Sequence, residues 1–274
     1  MTFSPWPAGG AAAARPVGPR LRVGRISYLN TFPVHWRLAA SADEQVVEGL
    51  PKDLADALLA GELDVANVSA VAWAAHQDDL VLLAGLCVGS EDSVDSVLLL
   101  SERPVEECRT VSYTSESATS VALAKLLFPH LEEVAHAADA RLVIGDRAFA
   151  ARVGGEGPLQ VDLGRAWRAR TGLPMTFSVW TARREAVETA PDRVRAAVAR
   201  LRRCVAAAKS NRPRVAQDAA ERYGFPAEAI ERYFEHLHYD LDAGQLAGLS
   251  EFVTRCVDAG LLPAATPADP KAFA

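Results

Sequence analysis

Short apolar, β-branched segments alternate with helical patterns from about residue 22 to residue 182, and after Arg184 the alternation stops. Strand candidates lie near 22–28, 45–49, 65–70, 80–88, 94–101, 110–114, 141–145, 159–162 and 176–182. Strands separated by helices favour a largely parallel sheet flanked by helices. One such helix reads clearly at 51–60, with Pro51 in its first turn, apolar positions at helical spacing and Gly61 as its stop. Beyond Arg184 the patterns are helical over 185–211, 213–223, 226–238 and 243–259. Pro191, Pro213 and Pro226 stand where helices begin and Gly224 where one ends.

An α/β core followed by a helical final third does not fit a plain doubly wound domain. It fits two lobes, with the chain crossing to the second and returning. Residues that interrupt regular structure stand around Glu102, Pro104 and Val105, and again at Thr171-Gly172-Leu173-Pro174. The expected organisation is therefore a disordered N-terminal extension over 1–20, a large lobe built from 21–104 plus 175–274, and a small lobe over 105–174.

Two strand-to-helix junctions are rich in hydroxyl and amide groups. Ser27-Tyr28-Leu29-Asn30 closes the first strand candidate, and Ser115-Glu116-Ser117-Ala118-Thr119-Ser120 follows the strand candidate ending at Thr114. So many hydroxyls are poor helix-interior residues, because they compete for backbone hydrogen bonds. At a helix N-terminus they cap free N–H groups, and such a mouth also binds anions. Capping alone accounts for one or two of them; the whole run favours a small polar or anionic ligand. Ser96 opens an apolar strand, where a buried hydroxyl needs a partner or a cleft. Asn67 and Ser69 share a strand face. Gly145 permits close approach of backbone, and Asp146 stands where it can cap the following helix.

Net charge is −6, with 29 Lys and Arg against 35 Asp and Glu. Nucleic acid and anionic membrane are thus not expected partners, since both call for a basic surface. No apolar run approaches the roughly 20 residues of a membrane span, and the first twenty residues lack the apolar stretch of an export signal. Cys87, Cys108, Cys204 and Cys256 show no C-x-x-C spacing and read as buried free thiols of a cytoplasmic protein. The six histidines form no zinc pattern and read as solvated or capping. G-x-S-x-G, Walker A, G-x-G-x-x-G after a strand and H-E-x-x-H are all missing. No metal or other cofactor is expected.

Several of these segments occur together, in order: G-R-I-S-Y-L-N-T-F-P (24–33), G-E-L-D-V-A-N-V-S (61–69), D-S-V-L-L-L-S (95–101), T-S-E-S-A-T-S-V-A-L (114–123), L-V-I-G-D-R-A (142–148) and D-L-G-R-A-W-R-A-R-T-G-L-P-M-T-F-S-V-W (162–180). The set resembles the chorismate dehydratase family of the futalosine route to menaquinone, over roughly residues 21–185. The resemblance implies a two-lobed α/β fold like the type 2 periplasmic binding proteins, with ligand between the lobes and a helical C-terminal segment. It implies loss of water from chorismate to give 3-[(1-carboxyvinyl)oxy]benzoate. Carried over by motif, Asn30 orients the reacting groups and Ser96 hydrogen-bonds or relays a proton to the leaving hydroxyl. Ser117, Thr119 and Ser120 would bind a substrate carboxylate, and Tyr28, Ser69 and Asp146 would line the cleft. A carboxylate of the substrate could itself be the base. The alternative is a non-catalytic cytoplasmic binding module for a small carboxylate, because this fold is used mostly for binding.

Overall fold

A computed structural model of the chain describes residues 17–38, 41–155, 159–264, 266 and 272–273. Of the expected N-terminal extension, residues 1–16 lie outside the described residues. Val17 rests against the core, and the Gly18 carbonyl accepts a hydrogen bond of 3.0 Å from Arg193.

The chain opens with β1 (Leu21–Ile26), a 3₁₀ turn (Leu29–Thr31), α1 (Phe32–His35) and β2 (Glu44–Gly49). It continues through α2 (Pro51–Leu59), β3 (Val65–Ser69), α3 (Ala70–Ala75) and the long β4 (Leu80–Ser90). Leu54, Ala55 and Leu58 give α2 one apolar face, which packs on β1 and β3. The approach is close at Gly24, where a Cβ would stand 2.9 Å from that of Ala66.

A second sheet then starts at β5 (Val97–Ser101) and takes in β6 (Thr110–Ser112), α4 (Ala118–Leu127), β7 (Glu132–Glu133), β8 (Ala140–Ile144), α5 (Gly145–Gly154) and β9 (Leu159–Asp162). After α6 (Leu163–Thr171) the chain returns to the first sheet with β10 (Met175–Arg183). The remainder is α7 (Arg184–Thr189), α8 (Pro191–Lys209), α9 (Arg212–Tyr223), α10 (Ala227–His236), β11 (Leu237–His238), α11 (Ala243–Asp258) and β12 (Ala272–Phe273). Strand order is β11-β4-β10-β3-β1-β2 with β12 beside β4 in the first sheet, and β7-β6-β8-β5-β9 in the second.

Two expectations are corrected. The chain enters the second sheet between Ser90 and Val97, ahead of Glu102–Val105: β5 is buried along its length and lies inside that sheet, between β8 and β9. Its apolar sequence suits the interior of either sheet, so it carries no mark of which one it joins. The sheets are also mixed and not largely parallel. β1 pairs in parallel with β2 and β3, but β10 runs antiparallel to β3 and β4, and β5 runs antiparallel to β8 and β9. β5 and β10 are the strands by which the chain crosses into each sheet. All four cysteines are buried and free.

An ion cluster fixes the far end of the first sheet. Asp64, fully buried, receives the Arg22 amide at 2.8 Å, the Arg22 guanidinium at 2.7 and 3.0 Å, and Arg183 at 3.0 Å. Burial pushes the Asp64 carboxyl up, but these bonds outweigh it and hold the group below its ordinary range.

Candidate active site

Strand ends from both sheets converge on one cleft. β1 and the 3₁₀ turn after it supply Tyr28 and Asn30, and β3 ends there at Ser69. The segment leading into β5 supplies Ser96, the start of α4 supplies Ser117 and Ser120, and the β8-to-α5 junction supplies Gly145. Ile26, Val88, Val94 and Phe177 form an apolar wall between these polar groups. Pro51 and Ser69 also face a wider recess bounded by Lys52, Tyr113, Glu116 and Glu133, which makes a mouth on that side.

Among the described residues, none of those lining the cleft is Lys, Arg, Asp or Glu. An anion here would meet neutral donors: hydroxyls, an amide and the first turn of α4. Ser117 caps that helix by accepting the Ser120 N–H at 3.2 Å, and the two hydroxyls lie 2.9 Å apart. The other first-turn N–H groups have no acceptor within the helix, and its dipole favours negative charge at this end. Opposite, the side-chain oxygen of Asn30 is buried without a hydrogen-bond partner, while its backbone carbonyl accepts the Tyr239 hydroxyl at 2.8 Å. A buried acceptor left open at a cleft wall is costly unless something docks there.

Six of the eight expected site residues therefore share this cavity: Tyr28, Asn30, Ser69, Ser96, Ser117 and Ser120. Ser69 also caps α3, accepting the Ala72 N–H at 3.1 Å. Thr119 and Asp146 are used differently. Thr119 is fully buried, and its hydroxyl accepts the Val71 N–H at 3.0 Å, spanning the two lobes. Asp146 makes no cap on its own helix; its carboxylate accepts the Leu29 N–H at 2.9 Å, again across the lobes. Burial raises the Asp146 pKa, and the Leu29 bond partly offsets that. Beside it, the Tyr28 hydroxyl donates to Glu116 at 2.9 Å, and Arg147 donates to the same carboxylate at 3.1 Å. Gly145 is required at this junction. Its φ is +60°, and a Cβ would come within 3.2 Å of the Tyr28 ring.

One histidine also departs from expectation. His35 is buried against Trp180, ring centres 5.5 Å apart, and burial pushes its pKa down to about 3, so it is neutral. His236 donates to Asp95 at 2.5 Å. Sequence reasoning missed Phe177 and Ser178 in the cleft. The signal for Ser178 was the one used for Ser96, a hydroxyl inside an apolar strand.

Two mixed sheets, a double crossover and a polar cleft between them define a periplasmic-binding-protein-like architecture. Solved structures agree on the fold. A protein of Archaeoglobus fulgidus superposes with a TM-score of 0.73 at 18% identity, covering 89% of this chain and 98% of its own. The periplasmic aliphatic sulphonate binding protein SsuA of Escherichia coli gives 0.65 at 16% identity, covering 94% and 92%. A family described as menaquinone biosynthesis matches residues 21–258, and the chain belongs to that family. A chorismate dehydratase of Thermus thermophilus is 32% identical over 263 residues, covering 84% of this chain and 93% of that protein.

Proposed function

We propose that this protein is a chorismate dehydratase, a hydro-lyase that converts chorismate to 3-[(1-carboxyvinyl)oxy]benzoate and water in menaquinone biosynthesis by the futalosine pathway. The observation that carries the reading is the Thermus dehydratase, similar over 84% of the chain. The cleft supports it, since it offers apolar walls for a ring and separate neutral donor sets for carboxylates.

In this reaction the C–H bond at the ether-bearing ring carbon breaks, the neighbouring C–O bond breaks, and hydroxide leaves with a proton as water. Aromaticity of the product supplies the drive, so the protein's part is alignment and proton movement. Asn30, with its open amide oxygen, orients the reacting groups. Ser96 meets the departing hydroxyl. Ser117, Ser120 and the first turn of α4 hold one carboxylate. Among the described residues no charged side chain lines the cleft, and a substrate carboxylate is the base that fits.

Incubating the purified protein with chorismate and following the ultraviolet spectrum and the separated products tests this. Catalytic formation of the benzoate is expected. Saturable binding of chorismate with no product would replace the reading by a binding protein without chemistry.

A further inference from the structure

The segment joining β4 to β5 holds the least relaxed backbone near the cleft. Asp95 has a φ of +55° and is buried, a conformation that Asp and Asn tolerate better than other side chains but still at a cost. Its carboxylate accepts from Ser93 at 2.9 Å, from Arg152 of α5 at 3.1 Å and from Nδ1 of His236 at 2.5 Å. Its own N–H donates to Asp162 at 2.7 Å. The next residue is Ser96, buried, with its carbonyl held by the Gly145 N–H at 2.9 Å.

Helix α10 grips Asp95. Tyr233 and His236 stand three apart, on one face of that helix. His236 holds Asp95, and the Ser96 hydroxyl donates to the Val94 carbonyl at 3.3 Å, across the turn. Tyr233 is anchored in turn by stacking on Phe149 of α5, ring centres 4.5 Å apart. In extended backbone the side chains of consecutive residues diverge. The left-handed turn at Asp95 therefore decides which way the side chain of residue 96 points.

We propose that Asp95 and His236 are positioning residues, which fix the left-handed turn and through it aim the Ser96 hydroxyl into the cleft. This rests on the reading that Ser96 meets the substrate. Neither residue is among those lining the cleft, so both act through Ser96.

The test is steady-state kinetics with chorismate on His236→Leu, Asp95→Asn, Asp95→Ala, Ser96→Ala and the double variant Ser96→Ala/His236→Leu, each with its thermal midpoint. His236→Leu and Asp95→Ala should lower kcat roughly ten- to a hundredfold, the scale of a small misplacement, with KM within about twofold of the parent. Asn tolerates the same backbone, its Oδ1 can accept from Ser93 and Arg152, and its NH2 can donate to Nδ1 of the other neutral His236 tautomer, so Asp95→Asn should stay within about threefold. The double variant should be no slower than Ser96→Ala alone. Parental kcat in His236→Leu, or a double variant slowed by the product of the two single effects, would overturn the proposal. Parental kcat in Ser96→Ala would instead overturn the role of Ser96 itself, and the positioning role with it. If Asp95→Ala does not fold, His236→Leu and Asp95→Asn carry the decision.

Discussion

Asn30 and Ser117 face the same cleft from opposite lobes, and their substitutions should fail differently. Asn30→Ala removes an amide whose oxygen has no partner within the protein, so the fold has little to lose. Turnover should fall at least a hundredfold, roughly the effect of deleting one preorganised polar group, with the thermal midpoint nearly unchanged. Parental turnover would remove Asn30 from the site. Ser117→Ala combined with Ser120→Ala should act mainly on KM, raising it about tenfold, the scale of a charge-assisted hydrogen bond. Because Ser117 is also the helix cap, a loss of about 1 kcal/mol in stability should accompany it. Unaltered saturation in chorismate would place the carboxylate elsewhere. At this scale the sequence was informative where a side chain's chemistry is unusual for its local structure, as with Asn30, Ser96 and Ser117. Thr119 and Asp146 looked equally suitable, and only the partner lobe decides that they bond to Val71 and Leu29 instead of facing the cleft.

Among the elements, strand positions were legible because apolar, β-branched runs bounded by breakers have few other uses. The two-residue strands β7 and β11 were not, since they exist only by pairing with β6 and β4. Sheet membership was hidden too: β5 is apolar on both faces and would be at home in either sheet. The strands β1, β3 and β10 meet at one end through the Arg22–Asp64–Arg183 cluster, which the G-E-L-D motif did not disclose. Asp64→Ala removes the carboxylate shared by Arg22 and Arg183, leaves Arg183 with Glu185 as its acidic partner, and should cost about 1–3 kcal/mol in denaturant unfolding. The parent should show the matching pH dependence. The folded carboxyl is held below its ordinary value of 3.8, so its contribution is complete above that value and is lost as pH falls through the lower, folded one. A variant whose unfolding midpoint shows the same acid dependence as the parent would assign that dependence to other carboxylates.

For the whole molecule, the alternation of strands and helices followed by a helical final third was enough to expect two lobes. The resemblance of the motifs supplied the particular fold. How the lobes meet was not legible, because the contacts join residues far apart in sequence: Tyr28 with Glu116, Leu29 with Asp146, Val71 with Thr119. The last of these has a consequence for how opening can be watched. Thr119 lends its oxygen to the first turn of a six-residue helix in the opposite lobe. Separating the halves strips that protection from a single backbone proton, so the Val71 amide is a built-in gauge of the hinge. Its deuterium uptake should slow severalfold when chorismate is present and quicken in Thr119→Ala, tracking local opening and not global unfolding. An uptake rate indifferent to both would mean that the halves part without disturbing this contact.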